Sequence, residues 1–174
     1  MEGDRVLDIG CGIGTLGKEI AEKNKGVEVF FSDISPVAGE YLEGLNFTCC
    51  PAEKTPFPDE YFDKVYCLHT ISHVTDREKT VRELLRITKK GGILAMIGPN
   101  KHYATVMKMA LSLGLIPPYN IDKTAKWLIT PSGITKLLTK SGWHVIKIMY
   151  FGQHLKKTLP LSFLRLRVLA IAKK

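Results

Sequence analysis

The last third of this chain has no acidic residue. Residues 123–174 contain 11 Lys and Arg side chains and neither Asp nor Glu, whereas residues 1–122 hold the other 14 basic and all 17 acidic ones. Such asymmetry points to an anionic partner at 123–174, RNA or a membrane surface, or else to a plain solvated basic face. Aromatics that would stack on bases are few there: Trp127, Trp143, Tyr150, Phe151 and Phe163, the last four placed to suit core strands. No apolar run approaches the ~18 residues that a bilayer-spanning helix needs. No charged-then-apolar leader opens the sequence. Cys11, Cys49, Cys50 and Cys67 show no C-x-x-C spacing, so neither a zinc site nor a disulfide framework is indicated, and a reducing cytoplasm is the expected compartment. Repeats and low-complexity tracts are also missing. A length of 174 residues, 45% of them hydrophobic, suits a single domain with a proper core.

What the chain does have is concentrated in Val6–Gly17, Val-Leu-Asp-Ile-Gly-Cys-Gly-Ile-Gly-Thr-Leu-Gly. An apolar run containing an acid leads into glycines at alternate positions, and a helical pattern opens behind them. Such a turn lets a ligand approach the backbone, with the N–H groups of the following helix aimed at it. Gly12 to Gly17 formally satisfies G-x-G-x-x-G, the dinucleotide fingerprint. The strand ends near Ile9, however, so the fingerprint should start at Gly10, and from there Thr15 replaces its third glycine. A carboxylate at Asp8 would repel a pyrophosphate and attract an ammonium or sulfonium. S-adenosylmethionine, which carries both cations and no phosphate, is the favoured ligand on these residues, with a nicotinamide cofactor the distant alternative.

Further segments carry a family resemblance. Val27–Asp33 reads as a second strand ending in an acid about 20 residues past the glycines, where a carboxylate can accept from ribose hydroxyls. Ala52–Asp63 is similar to an A-E-x-L-P-F-P-D-x-S-F-D segment, followed by a strand and His69-Thr-Ile-Ser-His73-Val-Thr-Asp76. Arg82–Ile97 and Thr130–Trp143 continue the likeness. With motif I at Val6–Gly14, the chain resembles the class I S-adenosylmethionine-dependent methyltransferases, in the small-molecule branch of the quinone-biosynthesis enzymes.

That resemblance implies a cofactor site at Asp8, Gly10, Cys11, Gly12, Gly14, Asp33, Ile34, Ala52, Glu53 and Leu68. Gly10, Gly12 and Gly14 would pass beneath the methionine portion, with Asp8 toward its ammonium, Asp33 on the ribose and Ile34 over the adenine. The product would be S-adenosylhomocysteine. Pro51 departs from the family's Asp before Ala-Glu, so the adenine anchor falls to Ala52 backbone or Glu53. His73, in the family's H-V-x-D pattern, and His69 are the candidate bases, since histidine titrates near neutrality. The metal-binding acids of related quinone O-methyltransferases fall here on His69 and Ser72, so no metal is expected. The acceptor is expected to be small or lipid-like, methylated on oxygen or carbon. An RNA methyltransferase using the basic C-terminal third and a non-catalytic binding subunit stand as alternatives.

The expected fold is α/β: a Rossmann-like, doubly wound, seven-stranded sheet, mostly parallel with an antiparallel last strand, and helices on both faces. Strands are expected at 5–9, 27–32, 46–49, 62–68, 91–97, 143–151 and 165–172, and helices near 15–24, 36–43, 76–88, 101–113 and 131–141. Residues 1–174 read as one domain lacking the family's usual N-terminal lid helices. Residues 99–130 are then the candidate lid and acceptor-pocket segment, with Met107, Met109, Leu111, Leu113 and Trp127 as candidate lining. A second copy or a partner subunit would otherwise complete the open site.

Overall fold

A computed structural model describes residues 3–115, 124–151 and 167–174. Seven strands form one sheet: β1 (Arg5–Ile9), β2 (Glu28–Asp33), β3 (Asn46–Cys49), β4 (Phe62–Leu68), β5 (Thr88–Pro99), β6 (His144–Phe151) and β7 (Arg167–Lys173). Their spatial order is β3-β2-β1-β4-β5-β7-β6. Every pairing from β3 to β5 is parallel, and β7 runs antiparallel to both β5 and β6. The order reverses at β1, which pairs with β2 on one side and β4 on the other. The carboxyl ends of these three strands therefore open a crevice at the switch point.

The strand sequences explain the layers. Side chains alternate across a strand, so Phe30 faces one side of β2 while Val29 and Phe31 face the other. Phe30 packs on the larger core, which buries Val81, Leu84 and Ile87 of α3 (Arg77–Ile87) and Ile134 and Leu138 of α5 (Pro131–Lys140). Val29 and Phe31 join Leu42 and Ile20 beneath α1 (Thr15–Lys23). Helices thus cover both faces, and β1, buried from Val6 to Ile9, reads as a continuous apolar run interrupted by Asp8.

Several boundaries differ from expectation. The second helix, α2, is a single turn, Val37–Glu40, instead of 36–43. β5 begins at Thr88, three residues before Gly91, because the register jumps between Phe62↔Thr88 and Lys64↔Ile93. Gly91–Gly92 lies inside that irregular stretch, where a Cβ on Gly92 would sit 2.9 Å from the Asp63 carbonyl. β7 is described from Arg167. The turn residues Pro117–Tyr119, the basic Lys156–Lys157 stretch, His154 and Phe163 all lie outside the described residues. No helix among the described residues is long and apolar enough to cross a membrane.

Candidate functional site

The loop after β1 is held almost entirely by its own chain. Gly10 N–H and Cys11 N–H both donate to the Ser32 carbonyl, at 2.7 and 3.0 Å, and Gly14 N–H donates to Cys11 O at 2.9 Å. Gly12 N–H donates to Asp33 Oδ2 at 2.9 Å, and Gly17 N–H to Asp8 Oδ2 at 3.1 Å. Five donors that a dinucleotide's pyrophosphate would need are thus committed, two of them to carboxylates. The N–H groups at the start of α1 were expected to face a ligand; one of them instead binds Asp8, which does the work of an N-cap where Gly14 offers no side chain.

Asp8 is buried at 4% exposure, and its carboxyl is pushed up from 3.8 to about 6. Desolvation is the chief cause, opposed by the Gly17 hydrogen bond and reinforced by the charge on Asp33. Asp33 ends β2, half-buried, with Oδ1 accepting from Ser35 N–H at 2.9 Å. Two carboxylates therefore bracket the glycine loop. They create a negative potential that suits a cationic ligand and opposes a phosphate.

A cavity of about 810 Å³ opens along the carboxyl ends of β1, β2 and β4. Of the expected site residues, Gly10, Asp33, Ile34, Ala52, Glu53, Leu68, His69 and His73 line it; Asp8, Cys11, Gly12 and Gly14 do not. Ile34 is 72% exposed, an uncovered apolar plate beside the Asp33 carboxylate. Glu53 is not a loose loop acid: its Oε1 accepts from Thr75 N–H at 2.7 Å and from Asp76 N–H at 3.4 Å. The wall formed by Pro51, Ala52 and Glu53 is anchored from α3, where Glu83 Oε1 accepts from Thr55 N–H and Oγ1 at 2.8 and 2.7 Å. Arg86 bridges Glu83 to the Phe57 carbonyl. The thiols of Cys11 and Cys67 are pushed up to about 12, chiefly by burial, which leaves them protonated at neutral pH.

His69 follows β4 with φ 66, a left-handed conformation uncommon outside glycine. Its N–H donates to Ile97 O at 2.8 Å, so the strained residue is pinned at the cavity wall. The following 3-10 turn, Thr70–Ser72, leads to exposed His73, whose Nδ1 lies 3.4 Å from Thr124 Oγ1. Sequence reasoning missed Thr70, whose hydroxyl donates to Ile9 O at 2.8 Å and ties the ends of β1 and β4 together. It also missed Lys126, which enters the wall from a strap that bonds to Ser72 O through Lys126 N–H and Trp127 N–H. No local signal marks a lysine 53 residues beyond His73 as part of the same wall. Of the five candidate acceptor-lining residues, Met107 is buried and Met109 and Leu113 are exposed, and none of the five lines this cavity.

Residues 7–96 match the family described as "Methyltransferase domain". The chain belongs to that family. The methyltransferase domain is 34% identical over 104 residues to the ubiquinone/menaquinone biosynthesis C-methyltransferase UbiE of Bordetella avium, covering 55% of this chain and 41% of that protein. It is 32% identical over 103 residues to methyltransferase GfsG of Streptomyces halstedii, covering 54% and 37%. The expected resemblance to the quinone-biosynthesis branch is borne out, although the match spans less than half the length of either relative. Among solved structures, an S-adenosylmethionine-dependent methyltransferase from Methanosarcina mazei superposes with a TM-score of 0.74 over 100% of this chain and 93% of its own, at 24% identity. At that identity the likeness establishes the Rossmann-like fold.

Proposed function

We propose that this domain is an S-adenosylmethionine-dependent methyltransferase acting on oxygen or carbon of a small or lipid-like acceptor. The observation that carries the reading is Asp33, an acid at the end of β2 on the wall of an 810 Å³ cavity, with an uncovered Ile34 beside it. The residues present fit the cofactor. Asp33 engages two N–H groups yet keeps lone pairs on both oxygens for ribose hydroxyls. Ile34 and Ala52 offer apolar faces for an adenine, and Asp8 supplies negative potential under the loop. When bound, S-adenosylmethionine supplies a methyl group already activated by its sulfonium.

The chain's own contribution is then alignment, water exclusion and proton removal. His73 and His69 stand on the cavity wall after β4, where an imidazole can take a proton from a phenol, an acid or an activated carbon. The strap at 124–130 closes over the same end of the cavity, and together with the helix α4 (Lys101–Ser112) it is our candidate lid.

Calorimetric titration with S-adenosylmethionine and S-adenosylhomocysteine tests this. Micromolar binding is expected, weakened roughly 10–100-fold by Asp33→Ala through loss of charge-assisted bonds. A folded protein that binds neither nucleoside, or binds both as well without Asp33, rejects the reading.

A further inference from the structure

A second cavity, of about 180 Å³, adjoins the first: Thr70 lines one and the next residue, Ile71, lines the other. The strap divides them in the same way, with Lys126 on the first and Leu128 on the second. The second cavity's walls are mostly apolar, from Ile71, Leu128, Ile129, Ile134 and Leu137, but its charged lining is of one sign. Arg77 and Lys101 line it, and no acid does.

These two cations differ from their neighbours. On the same face of the molecule Arg82 and Lys140 pair with Glu78, and Arg86 pairs with Glu83. Among the described residues, neither Arg77 nor Lys101 is in an ion pair. The Arg77 guanidinium lies 4.1 Å from the Trp127 ring centroid, a stacking contact that holds the plane and leaves its edge donors available. Arg77 and Lys101 are the first residues of α3 and α4, and Thr130 is the N-cap of α5. The N-termini of α4 and α5, capped by the neutral Asn100 and Thr130, add positive potential to that of the two side chains, while that of α3 is capped by the Asp76 carboxylate. Arg77 is half-buried and Lys101 exposed at the cavity's rim, so an anion seated between them gains a charge-assisted bond from each without either cation having to leave water on its own.

We infer that this cavity binds a compact amphipathic anion: a carboxylate, read by Arg77 and Lys101, on a small apolar group seated against Ile129 and Ile134. The inference concerns ligand chemistry and holds with or without methyl transfer. The acid has two sources of the same chemistry, the acceptor's own acidic end or a separate ligand.

Hexanoate and its neutral counterpart hexanol are the probes, with binding followed by calorimetry and by tryptophan fluorescence. Trp127 reports because it stacks on Arg77, whereas Trp143 is buried with its Nε1 bonded to Val81 O. Hexanoate is expected to bind at least about tenfold tighter than hexanol and to perturb the fluorescence. Lys101→Gln and Arg77→Gln should each erase most of that preference while leaving hexanol binding unchanged. Lys101→Gln removes an exposed side chain with no ion pair, so its melting temperature should match the parent's. Equal binding of acid and alcohol by the parent protein, or a preference that survives both substitutions, overturns the proposal. Repeating the titration with saturating S-adenosylhomocysteine names the source. A shifted hexanoate affinity marks an acid that shares the first cavity, an unchanged one marks a separate ligand, and both leave the anion site standing. Failure of hexanoate to bind leaves the Asp33 titration untouched, so the two readings fail separately.

Discussion

Asp8 is a charge that the fold buries in order to cap a helix from a neighbouring strand. Its carboxyl sits near 6 instead of 3.8, chiefly through desolvation, so between about pH 4 and pH 6 the folded protein holds a proton that the unfolded chain has already released. Stability from this group is therefore fully present at low pH and lost as pH rises from about 4 to about 6. A shift of about two units corresponds to about 3 kcal/mol at pH 7. Asp8→Asn keeps an oxygen for Gly17 N–H and removes the charge. Urea unfolding should find that variant more stable by about 2–3 kcal/mol at pH 7 and no more stable than the parent at pH 4. Equal stabilities at pH 7 would show that Asp8 is not desolvated. The same substitution should weaken S-adenosylmethionine binding, so gains in stability and losses in binding are expected from one side chain.

At the scale of elements, the loop 51–61 depends on α3. Arg86 donates to Glu83 and to the carbonyls of Thr55 and Phe57, while Glu83 in turn accepts from Thr55. Glu83 is held below its ordinary value, its burial outweighed by these bonds. Arg86→Met leaves a partly buried carboxylate without its cation and releases the cavity wall that carries Ala52 and Glu53. The expected loss is about 2 kcal/mol, or roughly 4–8 °C in Tm, together with weaker nucleoside binding. A melt unchanged by the substitution would place the wall's support elsewhere.

Much of this was legible in the residues, because strand-length apolar runs, an acid ending the second strand and ordered motifs are all local signals. The reasons behind them were less so. Gly10 and Gly14 read as room for a ligand, yet a Cβ on Gly10 would lie 2.1 Å from Thr70 Oγ1, and one on Gly14 would lie 2.4 Å from Leu42 Cδ2. Both have a positive φ, as the turn requires, and both also have to be small because the chain packs on itself there. Thr70 and Leu42 lie 60 and 28 positions away, and only the sheet order brings them there. The early start of β5 was hidden for a similar reason: the register jump depends on the partner strand and leaves no mark in the sequence of β5 itself.

At the scale of the whole molecule, the acid-free last third does not stand apart from the rest. The sheet order sets α5 and β7 beside α3 and β5, where Lys140 meets Glu78 and Lys174 meets Glu60. Part of the basic excess is thereby spent within the fold, and Lys136, Lys147 and Lys173 remain exposed. The order of strands also bears on how the sheet closes. Among the described residues β6 pairs only with β7, and β7 lies between β5 and β6 although it is the later strand. Until β7 has joined, β5 and β6 each carry a strand edge awaiting it, a state exposed to wrong pairing. A chain stopped at Phe151 should show no cooperative melt, and a native-like transition in it would mean that the sheet closes without β7.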